Sequence, residues 1–277
     1  MQRPKAAGKE DGMRARREPV EAVLLRRDED AVAWLTLNRP AQRNALSVAL
    51  MSALQGEIDA IAKDRKIKVV VIAGAGPGFC AGHDLKEMRA NPGRQHYEAL
   101  FAQCSRLMTS LVRLPKPVIA RVHGIAAAAG CQLVASCDLA VAAADARFAV
   151  NGINIGLFCS TPMVALSRAV GRKPALEMLL TGDLVGAEHA RSIGLVNRVV
   201  APDKLDDETR ALARQIAGKL GLAVAIGKEA FYRQAELGLD AAYAYTADVM
   251  TKNMLARDTE EGIDAFIEKR PPKWDSG

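Results

Sequence analysis

The groups in this chain best placed to do chemistry are backbone amides. After the apolar, β-branched run from Pro117 to Val122, which predicts a buried strand, the chain turns at Gly124 and continues with Ala126, Ala127, Ala128, Ala129 and Gly130. Alanine favours helix on propensity alone, and a close-packed helix accounts for such a run. A helix start bare of side chains has a second use. Its first amides lack intrahelical partners and lie at the positive end of the helix dipole, so a ligand oxygen can rest on them directly. A second stretch has the same character. The apolar run Val69 to Ala73 enters a loop with Gly74, Gly76, Gly78 and Gly82, and then a helix at Asp84. Asp84 and Glu87 have capping-box spacing. Two such turns set face to face would hold one carbonyl oxygen between two amides as it takes on negative charge.

Side chains with obvious chemistry are sparse. The five cysteines form no CxxC pair and are odd in number, so they read as reduced thiols, with Cys131 and Cys137 in apolar core segments. The four histidines have no zinc-ligand spacing, and neither a metal nor a resident cofactor is expected. No GxSxG elbow occurs, and Cys159 and Ser160 have no His–carboxylate relay beside them in sequence. Gly76 to Ala81 matches G-x-G-x-x-A between a strand and a helix, which opens an alternative reading as an NAD-dependent oxidoreductase. Against it, the turn is long and no acidic residue ends a second strand about 20 residues further on.

Several motifs in order are more specific. CAGHDLKEM (80–88) and HGIAAAAGCQLVASCDLAVA (123–142), with NRPAQRNALS (38–47), ARFAVNGINIGLF (146–158), LTGDLVGAEHARSIGLVNRVV (180–200) and EGIDAFIEKRPPKW (261–274), resemble the crotonase superfamily, the enoyl-CoA hydratase/isomerase family. The resemblance spans about residues 20–274. It implies an α/β fold in which ββα units spiral into two sheets, followed by a C-terminal helical region that packs trimers, often as dimers of trimers. It implies an acyl-CoA or enoyl-CoA thioester as substrate, with the backbone amides of His83 and Ala129 as the oxyanion hole. Ala129 replaces the usual glycine, but only its amide is needed. By the same resemblance Arg43, Ala45, Ala81, Asp84 and Leu85 line the coenzyme A site, and Phe266 and Lys269 complete it from a neighbouring subunit. Asp84 is read first as the helix cap.

The chain departs from the hydratase pattern where water is activated. The two hydratase glutamates fall on Gln132 and Gly152. A glutamine can hydrogen-bond to water but exchanges no proton near neutral pH, and a glycine offers no side chain. The dehalogenase nucleophile position falls on Ser160. Of the nearby carboxylates, Asp138 and Asp145, Asp138 reads as a turn or helix-end partner. Candidates to replace the glutamates are few. The His83 side chain is first among them, with a plain core or surface histidine as its alternative reading, and Cys159 and Ser160 are candidate pocket-lining groups. General acid–base catalysis is worth about 10²- to 10⁴-fold, so hydration is expected to be weak or altered, and restoring both glutamates together is expected to raise it. A non-catalytic acyl-CoA-binding homologue is the alternative.

The elements that must position these groups follow from periodicity. Val20–Leu25 and Val32–Leu37 predict a hairpin around RRDED, Ser47 caps a helix to about Lys63, and Ala99–Leu114 is amphipathic. Short strands are expected at Leu139–Ala142 and Phe148–Val150, and alternation of strand and helix argues for parallel pairing. Helices are expected at Asp203–Leu220, Leu222–Leu237, Ala241–Leu255 and Asp258–Lys269. The division expected is a disordered basic tail over 1–19, a spiral core over 20–202 and a helical oligomerisation region over 203–277. The 277 residues carry a net charge of +6, but the basic residues are scattered and aromatics are 4%, which argues against a nucleic-acid platform. No apolar run has membrane-spanning length and no secretory segment is evident, so a cytoplasmic protein is expected, or a mitochondrial-matrix one for a eukaryotic source.

Overall fold

The computed structural model describes residues 22–274; the basic tail expected at 1–19 lies outside them. The chain opens with the hairpin of β1 (Leu24–Glu29) and β2 (Val32–Leu37). Asp30 and Ala31 both have positive φ, 50° and 61°, the two-residue turn whose twist matches that of its strands. The turn is tighter than RRDED implied, because β1 runs on through the charged residues Arg26 to Glu29. As the edge strand it can hold them at the surface, where Arg26 bonds Asp28 at 2.9 and 2.8 Å and Glu57 at 3.0 Å.

The main sheet continues with β3 (Val69–Gly74), β4 (Val118–Val122), β6 (Leu139–Ala143) and β9 (Arg198–Val200), in the order β1-β2-β3-β4-β6-β9 and parallel from β2 onward. A smaller sheet has the order β5-β7-β8, with β5 (Ile125–Ala127) parallel to β7 (Arg147–Ala149) and β8 (Val185–Gly186) antiparallel to it. Parallel neighbours need crossovers, and helices supply them. Successive residues of a strand face opposite ways. Val70 and Ile72 join the large core under α1 (Val48–Lys63) and α3 (Arg94–Arg113), with Leu54, Ile58, Leu107 and Leu111. Val69 and Val71 face the other side and pack with Val32, Trp34, Ile119, Leu205 and Leu212. Ser47 caps α1, accepting from the Leu50 amide at 3.1 Å.

Between these lie α2 (Leu85–Ala90), α4 (Ala129–Ser136), α5 (Ser160–Ala169), α6 (Arg172–Thr181) and α7 (Ala187–Ser192). Past Val200 the described residues form helices without strands: α8 (Leu205–Ala217), α9 (Gly221–Gln234), α10 (Leu239–Met254) and α11 (Arg257–Ile267). All four expected C-terminal helices are present, with ends shifted by up to three residues. α8 is packed on the main sheet, its Arg210 lying 4.9 Å over the Trp34 ring. In α10 no residue is buried, and Leu239, Tyr243, Met250 and Met254 are exposed on it, as are Phe266 and Ile267 on α11.

One buried ion pair pins α9 to the core. Asp138, just before β6, accepts at Oδ2 from the Val118 amide and from Lys228 Nζ, both at 2.7 Å, and at Oδ1 from the Tyr232 hydroxyl at 2.8 Å. Lys228 spends its other donors on the carbonyls of Leu111 and Lys116, at 2.9 and 3.0 Å. Its side chain is 7% exposed. Removing one partner leaves an uncompensated buried charge. Lys228→Met is therefore expected to lower stability by about 3–5 kcal/mol, and Tyr232→Phe by about 1 kcal/mol, both measured by urea denaturation. A loss under about 1 kcal/mol for Lys228→Met would reduce the pin to the rank of a surface pair.

Candidate active site at the meeting of two turns

Three extended segments lie side by side. The Ala81 amide donates to the Arg43 carbonyl at 3.0 Å, Leu46 N to the Gly82 carbonyl at 2.7 Å, and Asp84 N to the Leu46 carbonyl at 3.2 Å. On the other flank Cys80 N donates to the Ile125 carbonyl at 3.0 Å, and Ala127 N to the Cys80 carbonyl at 2.9 Å. Residues 80–84 thus run between 43–46 and β5. Asn44, fully buried with φ 56°, locks the arrangement. Its Oδ1 accepts from Arg39 N at 2.9 Å, while Nδ2 donates to the carbonyls of Ala75 and Gly78, each at 2.8 Å. Arg39 bonds the Ala45 carbonyl at 2.6 Å and Asp84 Oδ2 at 2.9 Å. Arg43, Ala45, Ala81, Asp84 and Leu85 are thereby gathered on one rim.

The His83 amide faces away from this rim. Leu46 and His83 form a parallel bridge in which the Gly82 carbonyl and Asp84 amide serve Leu46, so His83 directs its own N–H to the opposite side. That side holds the start of α4. A methyl group on Gly82 would lie 3.0 Å from the Ala127 carbonyl oxygen, 3.0 Å from Ala128 Cβ and 3.3 Å from Ala129 N. α4 has no side-chain cap, and Ala129 is its first residue. Among the backbone hydrogen bonds of the described residues, neither the His83 nor the Ala129 amide is a donor. The run of small residues proves to be part strand: Ile125 to Ala127 form β5, and helix begins only at Ala129. Ala128 makes the corner at φ 48° and ψ −116°, a conformation strained for any residue with a Cβ, and its amide is tied to the Ala149 carbonyl at 2.8 Å. At Gly130 a Cβ would stand 2.1 Å from the Cys80 carbonyl oxygen. Part of the small-residue run therefore serves the chain's own close packing.

The second turn departs from expectation. Asp84 caps α2, accepting from Lys86 N at 3.1 Å and Glu87 N at 3.2 Å. Glu87 does not close a capping box, because the Asp84 amide is already held by Leu46. Its carboxylate reaches across to the Val48 amide at 3.0 Å and caps α1. Burial works to raise the Asp84 carboxyl, but Arg39 and the two amides outweigh it and hold it below its ordinary value. A carboxylate on these amides repels a pyrophosphate, which removes the helix start that the dinucleotide alternative requires.

The side chains around the two amides carry little acid–base capacity. The His83 ring meets Phe101 edge-on with centroids 5.7 Å apart, and both ring nitrogens are buried without a hydrogen-bond partner. Burial, the larger cause, lowers its pKa, against a smaller opposing effect of the Leu46 backbone. Gln132 is buried, with Cys104 Sγ 3.9 Å from its Oε1. Phe101 and Cys104 are three apart on α3 and share a face, so His83 and Gln132 line the same stretch of that helix. Gly152 is not a vacated glutamate position awaiting a side chain. Its amide donates to Cys159 Sγ at 3.3 Å, and a Cβ there would lie 2.3 Å from the Leu157 carbonyl oxygen and 2.8 Å from that sulfur. Restoring the second glutamate thus meets backbone, contrary to the expectation from sequence. Ser160 opens α5 at the surface. Phe266 is 85% exposed on α11, and Lys269 follows two residues past that helix; α11 packs on α10. Three contributors were not singled out from sequence: Arg39, Asn44 and Phe101. Only Asn44 left a signal, an asparagine after a proline turn, where left-handed backbone is tolerated.

A model of the enoyl-CoA hydratase/isomerase family matches residues 27–277. The chain is 46% identical over 259 residues to human enoyl-CoA hydratase domain-containing protein 3, mitochondrial, covering 94% of this chain and 86% of that one. It is 37% identical over 247 residues to 2,3-dehydroadipyl-CoA hydratase of Escherichia coli strain K12, covering 89% and 96%. A crystal structure of an enoyl-CoA hydratase from Mycobacterium smegmatis superposes with TM-score 0.89 at 58% identity, covering 93% of this chain and 99% of that one.

The strained corner makes a prediction. Ala128→Gly relieves a backbone cost of about 1–3 kcal/mol and adds about 0.4–1 kcal/mol of unfolded-state entropy. The net expectation is a stability gain of about 1 kcal/mol, measured as a raised urea midpoint at unchanged slope. A lowered midpoint would mean that the Ala128 methyl contributes more by packing than its conformation costs.

Proposed function

The chain belongs to the enoyl-CoA hydratase/isomerase family, and from that premise we propose that it binds acyl- or enoyl-CoA thioesters with the thioester oxygen on the amides of His83 and Ala129. The observation that carries this reading is the pair of undonated amides at the meeting of the two turns. As the oxygen gains charge, each amide strengthens its hydrogen bond without reorganising, a contribution of about 3–4 kcal/mol per donor in comparable sites. Arg43, whose carbonyl accepts from the Ala81 amide, is placed to meet a coenzyme A phosphate, with Ala45, Ala81, Asp84 and Leu85 along the same rim. Phe266 and Lys269 reach that rim from a neighbouring subunit. The apolar side chains exposed on α10 and α11 are the surface for a homotrimer or a dimer of trimers. The human relative is named mitochondrial; we assign this protein to the cytoplasm or, for a eukaryotic source, the matrix. No helix among the described residues is long and apolar enough to cross a membrane.

Water addition needs one group to hold the water and another to move its proton. Gln132 can do only the first, and Gly152 neither. The enzyme is accordingly a weak hydratase, or one of altered reaction. A second reading, a non-catalytic acyl-CoA-binding protein, draws support from the backbone packed against Gly152.

Crotonyl-CoA hydration, followed as loss of enoyl absorbance, is expected to be about 10²- to 10⁴-fold slower than in a relative with both glutamates. Gln132→Glu with Gly152→Glu is expected not to restore it and to lower the melting temperature, since overpacking costs about 1–3 kcal/mol. Fast hydration by the unaltered protein would overturn this reading. Thermal stabilisation by acetyl-CoA but not by NAD checks the ligand class.

Light scattering at micromolar concentration is expected to give three or six subunits. A monomer would leave Phe266 and Lys269 without a route to the site.

A further inference from the structure

Around the two amides the described side chains include one imidazole, that of His83. Burial pushes the thiols of Cys80, Cys104 and Cys131 up to about 12, and Cys159 is raised by the same cause. Gln132 does not titrate. Asp84 is committed to Arg39 and the start of α2. His83 remains. Its ring is carried by the residue that supplies one of the two amides. Phe101 on α3 fixes the ring from one side. Both nitrogens are buried and bond nothing in the protein, although a buried polar group ordinarily finds a partner.

We propose that the His83 imidazole is the proton-transfer group of this pocket, taking a proton from the carbon alpha to a thioester carbonyl and returning it. The inference rests on the thioester reading above. In the step, a ring nitrogen lone pair takes the α-proton and the C–H bond breaks. Its electron pair becomes the enolate, whose oxygen rests on the amides of His83 and Ala129. The imidazolium then gives a proton back to carbon, and nothing is oxidised or reduced. One base suffices for this, whereas hydration needs two groups acting on one water. Neutral imidazole is the form required, and burial maintains it.

The test is exchange of the α-protons of butyryl-CoA in heavy water, followed by proton NMR, beside calorimetric binding of the same ligand. Wild type is expected to bind and exchange. His83→Gln and His83→Asn keep the backbone amide but accept no proton near neutral pH. They are expected to bind within a few-fold of wild type and to exchange at least about 100-fold more slowly. Binding by wild type without exchange, or exchange by either variant within about tenfold of wild type, would refute the proton role and leave the thioester reading standing. If both variants lost binding, His83 would be a binding residue and the proposal would fall. Absence of butyryl-CoA binding by wild type would overturn both.

Discussion

Everything in this site depends on backbone approaching backbone with no side chain between. Residues 80–84 are hydrogen-bonded to 43–46 on one flank and to β5 on the other, and α4 starts against them. The Cys80 carbonyl stands where a Cβ at residue 130 would go. This proximity brings residues 82–83 close to the start of α4, and it also explains why so much of the surrounding sequence is glycine and alanine. Side-chain chemistry is secondary in such an arrangement, because amides persist through substitutions that change every functional group around them. Gln132 and Gly152 illustrate the point: neither side chain takes part in the backbone contacts that hold residues 80–84 and the start of α4 together.

The support for this approach comes from polar side chains turned inward. Asn44 binds two carbonyls of the glycine loop and one amide of its own turn. Arg39 joins that turn to Asp84, and Asp84 and Glu87 cap two different helices. A carboxylate at a helix start, a guanidinium beside it and an amide beneath form a network in which each member satisfies the next. Further along, Asp138 does similar work for α9. These groups lie in or next to the motifs by which the family was recognised, but their task is to hold loops.

How much of this was legible in the sequence varied with the kind of interaction. Apolar periodicity marked α1, α3, β4 and the C-terminal helices, because burial alone decides them. The edge strand was misplaced at Arg26–Glu29, since an exposed charged strand carries no apolar signal. The small-residue run was read as helix, yet its first half is β5: alanine fits both, and pairing with β7 chose. α5, α6 and α7 lie where a family resemblance, not periodicity, marks the chain. Around the site, Ala128 and Asp84 behave as their local sequence implies only in part, because Ala149 holds the Ala128 amide and Leu46 holds the Asp84 amide. Gly152 was legible as a missing carboxylate but not as a filled volume; that depends on Leu157 and Cys159 folding back upon it.

That fold-back makes the difference at residue 152 directional. A glycine can be reached from a larger residue by deletion, but once the 157–159 segment has settled on it, the larger residue is excluded by main chain, which no rotamer can move aside. The path back runs through the segment first and residue 152 second. Seen as a map of accessible variants, changes that leave Leu157 and Cys159 in place can vary the surrounding side chains but cannot seat a carboxylate at residue 152.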